Sequence, residues 1–355
     1  MVFQRRPSGL AVLAVATFSL ALSCGGSGGS STGTGGGSPA GAAGTSGSAG
    51  TTGAAGTTGA AGRGGSGGSS SGAAGRGGTT GGAGMGGGAG GGTDVMPSAG
   101  CGKPAGLTSG RASIDVNGKT REYILSIPSN YDMNKPYPLI FGWHPWMGNA
   151  QQIAQMGYFG LSTPSNGQAI LVAPEGQNFT QMNMSGLGWG NAGGEDIAFA
   201  HAMMDRFGAQ LCVDQNRIFS TGFSFGAMFS FTLACTANSQ QRAIAPMAGN
   251  TQTSGGCENS TRSVAVMSFV GTDDSLLTVH RQAVQVFVGR DGCTTTKTPV
   301  TPSWCDGVAA QYLPCMCVQY QNCKAGYPVV ECEYKAGHQF APSSGPTLWS
   351  FFSQF

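Results

Sequence analysis

The chain has 355 residues, a formal net charge of +2 and only 10% charged residues. With no run of Lys and Arg in it, this balance excludes a protein that binds nucleic acid through a basic face. The 63 glycines say little about a fold, because more than half of them lie between Gly25 and Gly92.

Met1–Cys24 carries Arg5 and Arg6, then an apolar run from Leu10 to Leu22. That is the pattern of an export signal, and it is too short for a membrane span. Ala21-Leu22-Ser23-Cys24 resembles a bacterial lipoprotein cleavage box with alanine where leucine is usual. Two outcomes follow, a lipid on Cys24 that tethers the protein to a membrane or a plain secretory signal. From Gly25 onward the sequence is Gly, Ser, Ala and Thr, with repeats such as Ala54-Ala-Gly-Thr-Thr58. Such a composition cannot bury a core, so residues 25–100 read as a disordered tether. The remainder, 101–355, is the right size for one domain with a large core.

Ten of the eleven cysteines fall at or after Cys101. An even set in an exported chain indicates disulfides, five if all ten pair. Cys315-Met-Cys317 lacks the spacing of a zinc knuckle, and no metal is expected. On a strand these two cysteines share a face and need two separate partners.

Within the domain, Arg121–Ile127, Tyr137–Gly142 and Ala169–Ala173 read as strands. Apolar residues at Ile197, Phe199, Ala200, Met203 and Met204 have helical spacing. Ile218–Thr221, Ala243–Met247, Val264–Val270 and Val329–Tyr334 read as further strands, and Pro346–Phe352 as a closing helix. Strands alternating with helices predict an α/β fold with a mostly parallel sheet covered on both faces. Function in such sheets collects at the carboxyl ends of the strands.

One stretch organises the rest. The strand ending at Thr221 runs into Gly222-Phe-Ser-Phe-Gly226, and a helix-compatible segment, Ala227–Ala234, follows. This is the strand–turn–helix setting of a G-x-S-x-G nucleophile elbow. Ser224 is then presented at the top of the sheet, and the N–H of Phe225 faces a developing oxyanion. A serine nucleophile needs a base, and the base an orienting acid, in the order Ser, acid, His. After Ser224 only His280 and His338 remain. His338 follows the Val329–Tyr334 strand at the carboxyl end of the sheet, whereas His280 lies in a helix-like run and reads as a packed or surface residue. The acid should follow the Val264–Val270 strand, where Gly271-Thr-Asp-Asp274 offers Asp273 and Asp274; spacing alone does not choose between them. The second oxyanion donor should come from the loop after Tyr137–Gly142. Pro145 has no N–H, which leaves Trp146, with Met147 behind it. His144 is expected to shape that loop, and Glu195 and Asp196 to cap the helix that they begin.

These residues resemble a known family, the feruloyl esterases of the fungal type C and D kind and the related exported polyhydroxybutyrate-depolymerase-like carbohydrate esterases. The matching stretches include Ser98-Ala-Gly-Cys-Gly-Lys103, Leu139-Ile-Phe-Gly-Trp-His144, Val172-Ala-Pro-Glu-Gly176 and Gly188-Trp-Gly-Asn-Ala-Gly-Gly-Glu-Asp196. They continue through Leu211-Cys-Val-Asp214, Thr221-Gly-Phe-Ser-Phe-Gly226, Cys323-Lys-Ala-Gly-Tyr-Pro328 and Ala336-Gly-His338. The resemblance implies an α/β-hydrolase fold, ester hydrolysis without a cofactor, Asp274 as the acid and His338 as the base. It departs at Val270, Phe225, Ser275 and Pro145-Trp146, all around the pocket, which bears on the substrate more than on the chemistry.

The expectation is thus a secreted, monomeric serine esterase acting through Ser224, His338 and Asp274. The N–H groups of Phe225 and Trp146 would hold the oxyanion. Trp143, Trp146 and Trp189 are candidate aromatic walls for a cinnamoyl ring or a sugar. The substrate expected is a hydroxycinnamate ester on plant cell-wall xylan. A polyhydroxybutyrate depolymerase or acetylxylan esterase is the alternative of the same class, and a carbohydrate-binding surface protein the non-catalytic one.

Overall fold

A computed structural model describes residues 95–181, 183–251, 257 and 260–355. The export signal at 1–24 and residues 25–94 of the tether lie outside the described residues. Residues 95–100, expected in the tether, instead join the domain. Met96, Pro97 and Ser98 are laid along the start of a central strand, with Ser98 N–H on Val213 O at 2.9 Å and Gln215 N–H on Met96 O at 2.9 Å. Ser98 Oγ also donates to Leu211 O at 2.8 Å, so the domain begins by residue 95.

The strands are β1 (Gly110–Val116), β2 (Lys119–Ser126), β3 (Tyr137–Trp143), β4 (Ile170–Pro174), β5 (Gln177–Gln181), β6 (Met184–Gly188), β7 (Val213–Phe223), β8 (Ala243–Met247), β9 (Ala265–Gly271), β10 (Lys297–Pro299), β11 (Cys315–Tyr320) and β12 (Val329–Tyr334). The helices are α1 (Ala150–Gln155), α2 (Gly157–Gly160), α3 (Ser162–Ser165), α4 (Glu195–Gln210), α5 (Phe225–Cys235), α6 (Leu277–Arg290) and α7 (Gly345–Phe352). Ten strands form one sheet in the order β1-β2-β4-β3-β7-β8-β9-β12-β11-β10, and β5 and β6 form a separate hairpin. From β4 to β12 every neighbour is parallel, while β1, β2, β11 and β10 add antiparallel edges. This is the α/β-hydrolase fold.

Strands buried on both faces need apolar side chains at every position. β3, β4, β8 and β9 meet that demand, each buried along its whole length. Side-chain alternation splits the core in two. Ile140 and Phe219 join the cluster beneath α1, α2 and α7, whereas Leu139, Phe141 and Ile218 join the one beneath α4. Phe231 of α5 and Phe287 of α6 belong to a third cluster over β8 and β9. One segment breaks right-handed geometry. Gly157, Tyr158, Phe159 and Gly160 have φ of 67°, 55°, 59° and 78°, a left-handed turn closed by Gly160 N–H on Met156 O. For Tyr158 and Phe159 that costs about 1–2 kcal/mol per residue.

All ten cysteines of the domain are paired, as Cys101–Cys212, Cys235–Cys257, Cys293–Cys323, Cys305–Cys315 and Cys317–Cys332. Cys315 and Cys317 take different partners from β11, as their shared face demands. The Cys101–Cys212 bridge spans 111 residues and ties the start of the domain to β7. A loop of that length removes the equivalent of about 4–5 kcal/mol of chain entropy from the unfolded state.

Candidate active site

β7 delivers Ser224 to the carboxyl edge of the sheet, and α5 departs at the next residue. The turn between them is too tight for side chains. A Cβ on Gly222 would lie 2.5 Å from Gly226 C, and one on Gly226 only 2.0 Å from Trp143 O. Ser224 itself has φ 55° and ψ −116°, a sparsely populated region that costs about 1–3 kcal/mol and persists only where the surroundings over-determine it. Here its N–H donates to Met247 O and its C=O accepts from Met228 N–H, both at 2.9 Å.

The loop after β12 and the turn after β9 complete the cluster. His338 Nε2 lies 2.9 Å from Ser224 Oγ, and His338 Nδ1 lies 2.8 Å from Asp274 Oδ2. A carboxylate accepts only, so Nδ1 carries the proton and Nε2 presents its lone pair to the serine hydroxyl. Asp274 is fixed in turn, its Oδ1 accepting from Leu276 N–H at 2.8 Å. Its side chain is fully buried, while that of His338 is 37% exposed, so the base faces solvent and the acid does not. Asp273, the other residue of the pair, points outward and bonds to Lys335 at 2.6 Å. His280 makes no hydrogen bond to this relay; it is buried in α6 with Nδ1 on Gly249 O at 2.7 Å. Among the described residues no group of three or more His, Cys, Asp or Glu is placed to hold a metal ion.

The loop after β3 is held by His144. Its Nε2 accepts from Gly176 N–H at 2.9 Å, which leaves Nδ1–H to donate to Pro145 O at 2.7 Å. Burial pushes its pKa below the usual imidazole value, in keeping with the neutral ring that both bonds require. Trp189 Nε1 donates to His144 O at 2.8 Å. The segment bearing Trp189 is pinned by Asp196, which pairs with Arg121 at 2.7 Å and accepts from Asn191 N–H at 2.7 Å. Asp196 therefore does more than begin α4. Met147 N–H is occupied by Leu187 O at 2.9 Å. The N–H groups of Trp146 and Phe225 have no acceptor among the described residues.

Two of the expected aromatic walls are corrected. Trp143 and Trp189 are 0% exposed and pack edge to face with ring centroids 5.0 Å apart. Trp143 points into the core because it is a strand residue on the face toward α4 and α5, and its Nε1 is satisfied by Ser220 Oγ at 3.1 Å. Neither can touch a substrate. Trp146 is half-buried, its indole against Gly186 and Gly188 of the β5–β6 hairpin. The aromatic surface beside Ser224 comes instead from its own chain neighbours. Phe223 lies against the His338 ring with centroids 4.9 Å apart, and Phe225 meets Phe179 at 5.4 Å. Sequence reasoning missed Phe179 and Phe223; the signal was the pair of phenylalanines flanking the serine, which an elbow leaves half-exposed.

No protein-family profile matches the chain. It is 35% identical over 280 residues to feruloyl esterase D of Neurospora crassa, covering 73% of this chain and 91% of that protein. It is 34% identical over 267 residues to feruloyl esterase C of Emericella nidulans, covering 72% and 90%. Among solved structures, the acetyl xylan esterase from Aspergillus awamori is 17% identical with a TM-score of 0.49, covering 69% of this chain and 99% of that one.

Proposed function

This chain belongs to the feruloyl esterase C and D family and is an esterase, and we propose that it releases hydroxycinnamic acids from plant cell-wall polysaccharide through Ser224, His338 and Asp274. The observation that carries this reading is the unbroken relay from buried Asp274 through His338 to Ser224 Oγ, at 2.8 and 2.9 Å. Ser224 Oγ attacks the ester carbonyl as His338 Nε2 takes its proton. The negative oxygen that develops is received by the free N–H groups of Phe225 and Trp146, Phe225 standing at the N-terminus of α5 where the helix dipole adds to the effect. His338 then protonates the departing alcohol, leaving the acyl group on Ser224. Water, activated by the same nitrogen, releases the acid in a second cycle. Asp274 keeps the proton on Nδ1 and stabilises the imidazolium formed in each half. No cofactor takes part.

The five disulfides and the Met1–Cys24 leader support an exported enzyme. Attachment through a lipid on Cys24 would place it at a cell surface, and a monomer suffices because the relay lies within one chain. Purified enzyme offered methyl ferulate, polyhydroxybutyrate and acetylated xylan should act best on the first. Ser224→Ala should lower kcat by about 10⁴–10⁶ while the protein stays folded. Residual activity within tenfold of wild type would remove the serine from the mechanism, and a preference for either polymer would replace the substrate.

A further inference from the structure

The leaving oxygen of the ester has to reach His338 Nε2, because that atom supplies its proton. The alcohol part of the substrate therefore departs on the His338 side of Ser224. Phe223 lies against the His338 ring, and Phe340 packs edge-on to Phe223 with centroids 6.1 Å apart, so a row of rings joins the base to Phe340. Phe340 is 40% exposed and Met156 37%, so both present apolar surface to solvent. Together they line a cavity of about 420 Å³, with Thr163 and Ser343 on its rim.

The cavity has features of a built site. Gly160 and Gly345, both in its lining, approach so closely that a Cβ on Gly345 would lie 2.2 Å from Gly160 O. The left-handed turn Gly157–Gly160 supplies Phe159 and Gly160 to the same wall. Backbone held in sparsely populated regions clusters at binding and active sites.

We propose that this cavity between α2, α3 and the loop after His338 is the subsite for the sugar of the leaving alcohol, an inference that rests on the esterase reading. The aromatic face of Phe340 offers the C–H face of a pentose a stacking surface, as apolar ring surfaces do. The hydroxyls of Thr163 and Ser343 can each donate to and accept from sugar hydroxyls. In the first half-reaction the C–O bond to the sugar breaks and the acyl group remains on Ser224 Oγ. The proton on His338 Nε2 passes to the sugar oxygen, so the alcohol leaves neutral toward the cavity. The cavity thus separates a sugar ester from a methyl ester, which has nothing to place there.

The test compares feruloylated arabinoxylo-oligosaccharide with methyl ferulate in wild type, Phe340→Ala, and Thr163→Trp, which fills the cavity from its exposed rim. The ratio of kcat/KM for the sugar ester to that for the methyl ester should fall about tenfold in each variant, the scale of one lost stacking contact. Calorimetric binding of the acyl-free oligosaccharide should weaken in parallel. An unchanged ratio with unchanged binding in both variants overturns the subsite. Wild type inactive on both esters would overturn the esterase reading instead, and the binding measurement would still decide the subsite.

Discussion

A Cβ added to Gly271 would lie 2.3 Å from Ala336 O, so the turn that carries the acid and the loop that carries the base touch backbone to backbone. Two further bonds stitch them, Thr272 N–H to Tyr334 O and Asp273 N–H to Ala336 O, both at 2.8 Å. Tyr334 Oη reaches across to Gln339 O at 2.7 Å and holds the residue after His338. The Asp274–His338 distance is thus set by main chain rather than by the two side chains. Gly271→Ala should push the strands apart at this point. A displacement of this size costs about 10²-fold in kcat, and the overpacking about 1–3 kcal/mol of stability. Steady-state kinetics with a thermal melt checks both; an unaffected kcat would mean that the relay tolerates movement of its frame.

The neighbouring aspartates should behave very differently. Asp274→Asn offers His338 Nδ1 a donor and favours the wrong tautomer, a loss of about 10⁴ in kcat by analogy with serine proteases. Asp273→Asn removes only an exposed ion pair with Lys335, worth about 0–1 kcal/mol, and should leave kcat within about twofold. Rates of both at pH 7 decide it, and a crippled Asp273→Asn would move the acid by one residue.

Stability should depend on pH through groups held away from their ordinary protonation. Burial lowers the pKa of His144 and of His280 below 6.5. Below that pH the unfolded chain binds protons that the folded chain refuses, so stability falls as pH drops through 6.5. Asp291 acts the other way, for burial raises its carboxyl from 3.8 to about 6. The folded chain binds its proton first, so its contribution is full below 3.8 and lost as pH rises through about 6. Asp291→Asn should therefore steepen the acid loss of Tm between pH 7 and 5 relative to wild type. Melts across that range test this, and an identical slope would contradict it.

Truncation should locate the start of the domain. Composition argues that residues 1–94 add nothing to the chemistry, so their removal should leave Tm and kcat/KM on a soluble ester unchanged. Removal of 1–100 also strips the bonds that Met96 and Ser98 make to β7 and to Leu211. At about 0.5–1.5 kcal/mol each, their loss should lower Tm by several degrees. Equal melting of the two truncations would return residues 95–100 to the tether.

Sequence alone settled what depends on local geometry and on periodicity. The Gly222–Gly226 elbow was legible because only glycine fits on either side of a serine turned so sharply. The parallel strands were legible because burial on both faces demands unbroken apolar runs. Tertiary structure decided whatever depends on which face a side chain takes and on who lies opposite. Trp143 and Trp189 look like binding-site aromatics in one dimension, yet the register of β3 and the Asp196–Arg121 pair turn them into the core. Residues 95–100 carry no core pattern because they are ordered by a neighbouring strand rather than by their own side chains. Cysteine count foretold oxidation, but pairing required the register of β11 against β12. The family resemblance pointed to Asp274 over Asp273 where spacing alone did not; the tertiary structure adds its bond to His338, more than sixty residues away, a contact that no local pattern encodes.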